Sequence, residues 1–208
     1  MVMEAEDLST GPDAPSKGEQ TRRTILAAAI ARFGRDGYRS TSVADIARDA
    51  GVSGTLAYAY FPNKEALFLA AIDDDAAAVI YDGLSNVILE PSVEDWRQTL
   101  VYTLIGAVDS HPLARRLLAG LEPEVTARVL EIPALTELRK ACAERIRAEQ
   151  LAGTVRADLD ATEVGNGFVA IMLSLLMSVV QIGPEAVQAY GNDVAAVFQA
   201  ALGPVLRP

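Results

Sequence analysis

Apolar residues recur at helical spacing along almost the whole chain, and this periodicity limits the fold more than any other feature. Ile25, Ala29 and Phe33, for example, lie four residues apart, as on the buried face of a helix. Glycines and prolines separate such segments, and outside a few loop residues no segment shows the strict alternation of a strand. The sequence therefore predicts an all-α protein of about nine helices, with a three-helix unit at its N-terminal end.

The composition is that of a globular protein. The chain has 208 residues, of which 50% are hydrophobic, enough to bury a real core. Its one cysteine, Cys142, excludes an intramolecular disulfide, and one cysteine with one histidine is too few for a structural zinc site. The acidic, polar first residues lack the apolar run of a signal peptide. We therefore expect a cytoplasmic protein without metal or cofactor.

Positive charge is confined to one segment. The chain carries a net charge of −10, but residues 16–72 have eight basic against five acidic side chains. Residues 1–15 and 73–208 are acidic. A surface for a phosphate backbone is thus available only in the N-terminal segment. The alternative is that these basic side chains are ordinary solvent-exposed surface residues with no binding role.

Residues 164–184 contain no charged side chain, and a helix of that length can span a bilayer. Asn166, Gln181 and two glycines interrupt the segment, and acidic residues flank it where basic anchors are expected. A membrane span therefore remains an alternative, but we expect no membrane association. A helix that is apolar all round must otherwise be covered on every side, by its own domain and by a second copy of the chain.

The segment around residues 42–64 has the layout of a helix-turn-helix. Ser42 and Asp45 form a capping box for one helix, Gly51 ends it, and a short segment with small and aromatic side chains follows before Pro62. In a helix-turn-helix the second helix lies in the DNA major groove and the first braces it. Lys64 falls in the first turn of the next helix, where the helix dipole disfavours a cation, so we expect it to face an external anion.

Residues 21–72 resemble the DNA-binding region of the tetracycline-repressor (TetR) family of bacterial transcriptional regulators. The resemblance is carried by an ordered series of residues: Phe33, Gly37-Tyr38, Thr41-Ser42-Val43, Ile46-Ala47, Ala50-Gly51-Val52-Ser53, Tyr58, Tyr60-Phe61 and Asn63-Lys64. It covers about a quarter of the chain. The resemblance implies a helix-turn-helix DNA-binding domain over 16–62 and a helical effector-binding and dimerisation domain over 63–208, while the polar, acidic composition of residues 1–15 predicts a disordered arm.

The resemblance also implies which residues touch double-stranded DNA: Ser42, Ala44, Gly54, Thr55, Leu56, Tyr58, Tyr60 and Lys64. For the tyrosines the alternative is that Tyr58 or Tyr60 packs against the first helix, whereas Phe61 is assigned to the core. The chain departs from the family pattern at residues 54–57 and 59, which leaves few side chains that read bases. We therefore expect DNA shape, and contacts from Lys17, Arg22 and Arg23, to contribute to recognition.

By the same resemblance, the chain is a homodimeric repressor released from a palindromic operator by a small-molecule effector. The helices near 160–181 and 184–202 supply the dimer face. Candidate effector-binding residues form a mostly apolar set with a few polar groups: Trp96, Thr103, Cys142, Phe168 and Met172. Each of these residues, taken singly, also fits an ordinary core position. The effector, the operator, the target genes and the choice between repression and activation stay open.

Two other function classes compete with this interpretation. The sequence contains none of the phosphate-binding loops, metalloprotease motifs or nucleophile elbows of common enzymes, and His111 lies beside Pro112 at a predicted helix end, so we expect no enzymatic activity. The second alternative is a helical small-molecule-binding protein that does not bind DNA, which the few base-reading side chains permit.

Overall fold

The computed structural model describes residues 15–89 and 95–203, and within these ranges the chain is helical and has no β-strand. A π-helical segment, Leu84–Ile88, extends α4, and a 3₁₀ segment, Pro123–Glu131, precedes α7. The predicted disordered arm, apart from Pro15, lies outside the described residues. The nine α-helices of the described ranges are α1 Lys17–Ser40, α2 Val43–Asp49, α3 Gly54–Tyr60, α4 Lys64–Gly83, α5 Trp96–Val108, α6 Pro112–Leu118, α7 Pro133–Leu151, α8 Ala161–Ile182 and α9 Glu185–Leu202. The all-α prediction is confirmed.

Polar side chains at the N-caps fix where several helices begin. The Asn63 Oδ1 accepts from the Ala66 N–H at 2.7 Å, which starts α4 where the sequence predicts it. Ser42 caps α2, but the predicted capping box is incomplete: the Asp45 carboxylate accepts from the Ser42 hydroxyl at 2.6 Å instead of from a backbone N–H. A full capping box occurs at the start of α1, between Ser16 and Glu19.

Two glycines in the last part of α1 behave differently. Gly34 lies inside the helix, where it allows α1 to pass close to Pro112 at the start of α6. Gly37 has φ 81° and ψ 168°, a conformation open essentially to glycine alone. The helical hydrogen bonding of α1 therefore breaks at Gly37 and not at Gly34.

One continuous core joins the N-terminal helices to the rest of the chain. At the N-terminal end, Phe33, Tyr38 and Phe68 form an aromatic cluster with ring centroids 4.7 to 6.1 Å apart. α4 runs from this cluster into the second half of the chain, where it packs against α5, α6 and α7. A helix shared by both parts of the core connects their movements mechanically.

α8 is, within the described ranges, the helix that is long and apolar enough to cross a membrane, which by itself is weak evidence for a span. Its inner side packs against α5, α6, α7 and α9. Its outer side carries Asn166, Ala170, Ile171 and Ser174, a mixture of small, polar and apolar groups. The Ser174 hydroxyl donates to the Ala170 carbonyl within the helix at 3.0 Å.

Candidate nucleic-acid interface

α2 and α3 are joined by a tight turn that leaves one face of α3 open. Gly51 adopts φ 66°, the Val52 N–H donates to the Ala47 carbonyl at 2.9 Å, and the Ser53 hydroxyl caps α3 by accepting from the Leu56 N–H. Within the seven-residue α3, Ala57 alone is buried. The remaining face offers small side chains and hydroxyls, as a helix that enters a DNA groove requires.

The structure places most of the predicted DNA-contact residues on accessible surface. Ser42, Ala44, Thr55, Leu56 and Tyr58 are exposed, and Tyr58 retains 53% of its side-chain accessibility. Gly54 is half-buried at the start of α3. The Ser42 hydroxyl is already engaged with Asp45, so a phosphate contact from it has to compete with this bond. These positions lie at the N-terminal ends of α2 and α3 and along α3.

Tyr60 lies differently from Tyr58. Its hydroxyl approaches α1, at 3.5 Å from the place a Cβ on Gly18 would occupy, and its ring packs against the core. Tyr60 is therefore the tyrosine that packs against the first helix, as one of the two sequence alternatives foresaw. Phe61 is buried, as expected, and the Arg22 guanidinium lies 5.2 Å from its ring centroid. The α1 N-terminus thus borders the end of α3.

Lys64 has a partner inside the protein that the sequence argument did not foresee. Its Nζ lies 4.3 Å from the centroid of the Tyr38 ring, a cation–π distance. This contact explains a cation in the first turn of α4 without an external anion. The unfavourable helix dipole at Lys64 is therefore no evidence for a bound phosphate. The ammonium still has hydrogen-bonding capacity for a phosphate, since a ring face accepts no full hydrogen bond.

The basic side chains of residues 16–72 divide into two groups. Within the described ranges, Lys17, Arg22, Arg23 and Lys64 form no ion pair, so their charges are available to a polyanion. Lys17, Arg22 and Arg23 lie in the first two turns of α1, whose start borders the end of α3, and Lys64 begins α4 shortly after α3 ends. The other four are paired with carboxylates: Arg32 with Asp49, Arg35 with Asp36, Arg39 with Glu124, and Arg48 with Asp45.

The carboxylates of α2 stay ionised beside this surface. The Ser42 hydroxyl and then Arg48 hold the pKa of Asp45 below its ordinary value, and the hydrogen bond from Arg32 does the same for Asp49. Both groups are exposed, so the effect is screened by solvent. They reduce the positive potential of α2 and leave the flanking α1 and α4 termini as its main source.

A second feature lies in the C-terminal part of the chain. A cavity of about 60 Å³ is lined by fifteen side chains, all of them apolar, from α4, α5, α6, the 3₁₀ segment, α7 and α8. Of the predicted effector-binding residues, Met172 lines it. Trp96 instead donates to the Glu149 carboxylate at 2.9 Å and stacks edge-on against Phe168. Cys142 and the half-buried Thr103 also lie outside this lining.

A polar contact network joins the cavity wall to the N-terminal helices. The Glu122 carboxylate accepts from the Tyr38 N–H at 3.1 Å and from the Arg116 guanidinium at 2.6 Å, and Arg39 pairs with Glu124. We call these four side chains, with the Tyr38 backbone, the interdomain clamp. The clamp residues of α1 are more than 70 positions away in sequence from its residues on and after α6. No local sequence pattern could therefore predict these contacts.

The family model for "Bacterial regulatory proteins, tetR family" matches residues 25–71, the span from α1 to α4. Over this span the chain is similar to the DNA-binding region of tetR-family regulators. Among its relatives, the uncharacterized HTH-type regulator YdgC of Bacillus subtilis is 27% identical over 81% of this chain and 85% of its own length. YuxN of the same organism, also an uncharacterized HTH-type regulator, is 38% identical over 26% of this chain, a match that spans 19% of YuxN.

Solved structures of tetR-family proteins share the whole fold. A putative TetR-family regulator from Mesorhizobium loti superposes with a TM-score of 0.70 at 21% identity, over 91% of this chain and 100% of that one. The helix-turn-helix unit and the C-terminal helices of this chain are thus arranged as in that protein. Sequence reasoning missed the interdomain clamp, the contact of Lys64 with the Tyr38 ring and most of the cavity lining.

Proposed function

We propose that this tetR-family regulator is a cytoplasmic homodimeric repressor that leaves a palindromic operator when a small molecule binds in its C-terminal domain. The observation that carries the proposal is the open face of α3, together with cations that form no ion pair at the start of α1 and at Lys64 on the following helix. Such a surface fits a groove with a phosphate backbone on either side. We assign no catalytic role to any residue.

The proposed DNA contacts follow from what each exposed group can do. Thr55 offers a hydroxyl and a methyl group toward base edges, and the Tyr58 hydroxyl can donate to a phosphate. Leu56 and Ala44 supply apolar contact, and Gly54 allows close approach of the backbone. Because few of these groups distinguish bases, groove width and the α1 cations contribute to sequence preference.

The dimer face is proposed on the outer sides of α8 and α9. Ile171 on α8 and Tyr190 and Val197 on α9 are exposed, Val197 to 64%. The serine hydroxyls of α8 are bonded within the helix, so this face presents little unmet polarity. A two-fold copy of the same face would cover it and would set the two α3 helices about one DNA turn, roughly 34–36 Å, apart.

The coupling of effector to DNA is proposed to run through α6 and the interdomain clamp. Leu117 and Leu118 of α6 line the cavity, while Arg116 of the same helix holds Glu122 and, through it, the Tyr38 backbone. A ligand that enlarges the cavity displaces α6 and therefore the α1–α2 corner. It shifts the equilibrium only by its preference for the displaced state.

A salt titration tests DNA binding. Binding of the purified protein to a fragment from upstream of its own gene is measured at several ionic strengths. We expect a steep loss with salt, and Lys64→Ala should lower the slope of log K against log salt by about one. Lys140→Ala, which removes the same charge from α7, is the matched control and should leave the slope unchanged. No binding at low salt would favour the alternative of a small-molecule-binding protein without DNA binding.

Light scattering tests the dimer. The wild-type chain should have the mass of two chains at micromolar concentration, and Ile171→Glu should shift it toward one. Leu151→Glu, a matched change at a side chain on α7 that is 92% exposed, should leave the mass unchanged. A wild-type mass of one chain rejects the dimer, and equal behaviour of the two variants moves the interface elsewhere.

A further inference from the structure

The cavity between α4, α6, α7 and α8 restricts the chemistry of its ligand, an inference that rests on the effector role proposed above. Every lining side chain is apolar. The nearest buried carboxylate, Asp75, is fully occupied: it accepts from His111 Nδ1 at 2.8 Å and from the Leu113 and Ala114 N–H groups at 3.0 and 2.8 Å. A polar group placed inside the cavity would therefore find no partner, and leaving it unsatisfied is costly.

One polar pair with unused hydrogen-bonding capacity is close in sequence to residues that line this cavity. Asp73 is one turn before the lining residue Ala76 and two turns before Ile80 on α4, and Arg128 directly precedes the lining residue Val129. Arg128 Nη2 lies 3.2 Å from the Asp73 carboxylate. Within the described part of the chain, the Asp73 Oδ1 and the Arg128 Nε are buried atoms that lack a hydrogen-bond partner.

The two unpartnered atoms are complementary. Oδ1 of a carboxylate accepts and Nε of a guanidinium donates, so a single hydroxyl group, which both donates and accepts, satisfies the two together. The charge balance disfavours an anion: Arg128 faces Asp73 and also Glu131, whose carboxylate lies 3.7 Å from Nη1. The three side chains together carry a net negative charge, which repels a ligand carboxylate.

We propose that the cavity takes the aliphatic part of an uncharged amphiphile, with one hydroxyl-type group at Asp73 and Arg128. The cavity of about 60 Å³ is smaller than the roughly 150 Å³ that admits benzene in an engineered apolar cavity. Ligand entry therefore requires the walls to separate. α6 and the 3₁₀ segment are the short wall elements, and both also belong to the interdomain clamp.

The probes are 1-hexanol, hexanoate and 1,6-hexanediol, titrated into the full-length protein. The chain has four methionines, and the Met172 side chain lines the cavity, so its ¹³C-methyl resonance reports binding at this site. We expect 1-hexanol to bind about 5- to 150-fold more tightly than 1,6-hexanediol, whose second hydroxyl is buried without a partner, and more tightly than hexanoate. Affinity should rise about fourfold per methylene from 1-pentanol to 1-heptanol.

Two variants locate the ligand. Ala76→Leu fills the cavity and should abolish the response to 1-hexanol, while Ala78→Leu on the exposed side of α4 should keep it. Arg128→Lys retains a charge for Asp73 but removes Nε, and should weaken 1-hexanol at least about fivefold without changing hexanoate. Unchanged 1-hexanol affinity in Arg128→Lys, as expected if water already satisfies the pair, overturns the hydroxyl assignment.

Other outcomes separate this inference from the proposed function. Equal affinity for 1-hexanol and hexanoate, or no response of the Met172 methyl group to any probe, overturns the ligand class. Selective 1-hexanol binding that leaves operator affinity unchanged supports the ligand class and instead contradicts the effector mechanism. Selective binding with a weakened operator complex supports both.

Discussion

Gly34→Ala tests the contact between α1 and α6, on which the proposed coupling depends. A Cβ on Gly34 would lie 2.7 Å from the Pro112 Cβ, 2.8 Å from the Pro112 carbonyl carbon and 3.0 Å from the Leu113 nitrogen. These atoms cannot rotate away, because they belong to the ring and backbone of the first turn of α6. Asp75 holds that turn through the Leu113 and Ala114 N–H groups. α6 must therefore move as a unit to admit the methyl group.

The expected loss follows from two opposing contributions. Carbon atoms pack at about 3.5–4.0 Å, so α6 has to shift by close to 1 Å, and overpacking of this kind costs about 1–3 kcal/mol. Alanine in place of glycine in a helix returns about 1 kcal/mol. We expect a net loss of about 1 kcal/mol in the free energy of unfolding, which corresponds to roughly 2–4 °C in Tm for a chain of this size.

Gly106→Ala is the matched control. Gly106 lies within α5, and a Cβ there meets no heavy atom within 4 Å, so the same substitution should stabilise the protein by about 0.5–1 kcal/mol. Urea unfolding at equal protein concentration compares the two variants, since a dimer's stability depends on concentration. If Gly34→Ala proves as stabilising as Gly106→Ala, α6 yields without cost and cannot transmit displacement to α1.

Three further predictions concern single side chains. Burial raises the pKa of the Cys142 thiol to about 12, so at pH 8 a disulfide reagent should modify it no faster than the protein unfolds. Backbone N–H groups of Glu163 and Thr162 lower the pKa of Asp160; its stabilising effect should be complete above the ordinary pKa of about 4 and be lost as pH falls through the folded value. Urea midpoints from pH 3 to 7 should show a flatter acid limb for Asp160→Ala, and Asp160→Asn should keep the neutral-pH stability. Glu122→Ala should destabilise by about 1–3 kcal/mol in urea, since it unpairs the largely buried Arg116.

Helix starts were predictable because a cap is a local arrangement. The Asn63 side chain reaches a backbone N–H three residues away, so sequence alone contains both partners. The same holds for the α2–α3 turn, where Gly51 has the positive φ that its position between two helices indicates. The exposed face of α3 was also predictable, because a segment with so few large apolar side chains has little apolar surface to bury.

Long-range contacts were not predictable from local pattern. Gly34 has the same neighbours in sequence whether it ends a helix or allows a close crossing, and Pro112, which decides between them, lies far along the chain. The apolar residue types that line a cavity are the same as those that fill a core, so the sequences of α5 and α8 do not distinguish the two. Trp96 and Phe168 therefore satisfied the expectation for a pocket while packing against each other.

The short α6 is where the two halves of the mechanism meet. Its side chains divide by helical position: Leu117 and Leu118 face the cavity, whereas Pro112 and Arg116 face Gly34 and Gly37 of α1. We expect this seven-residue helix to move as one unit, so a displacement at its cavity side should appear at its α1 side. Since close-packed contacts do not deform continuously, the α1 contact must either resist the ligand or break. An effector therefore has to bind the displaced state more tightly by at least the free energy of that contact.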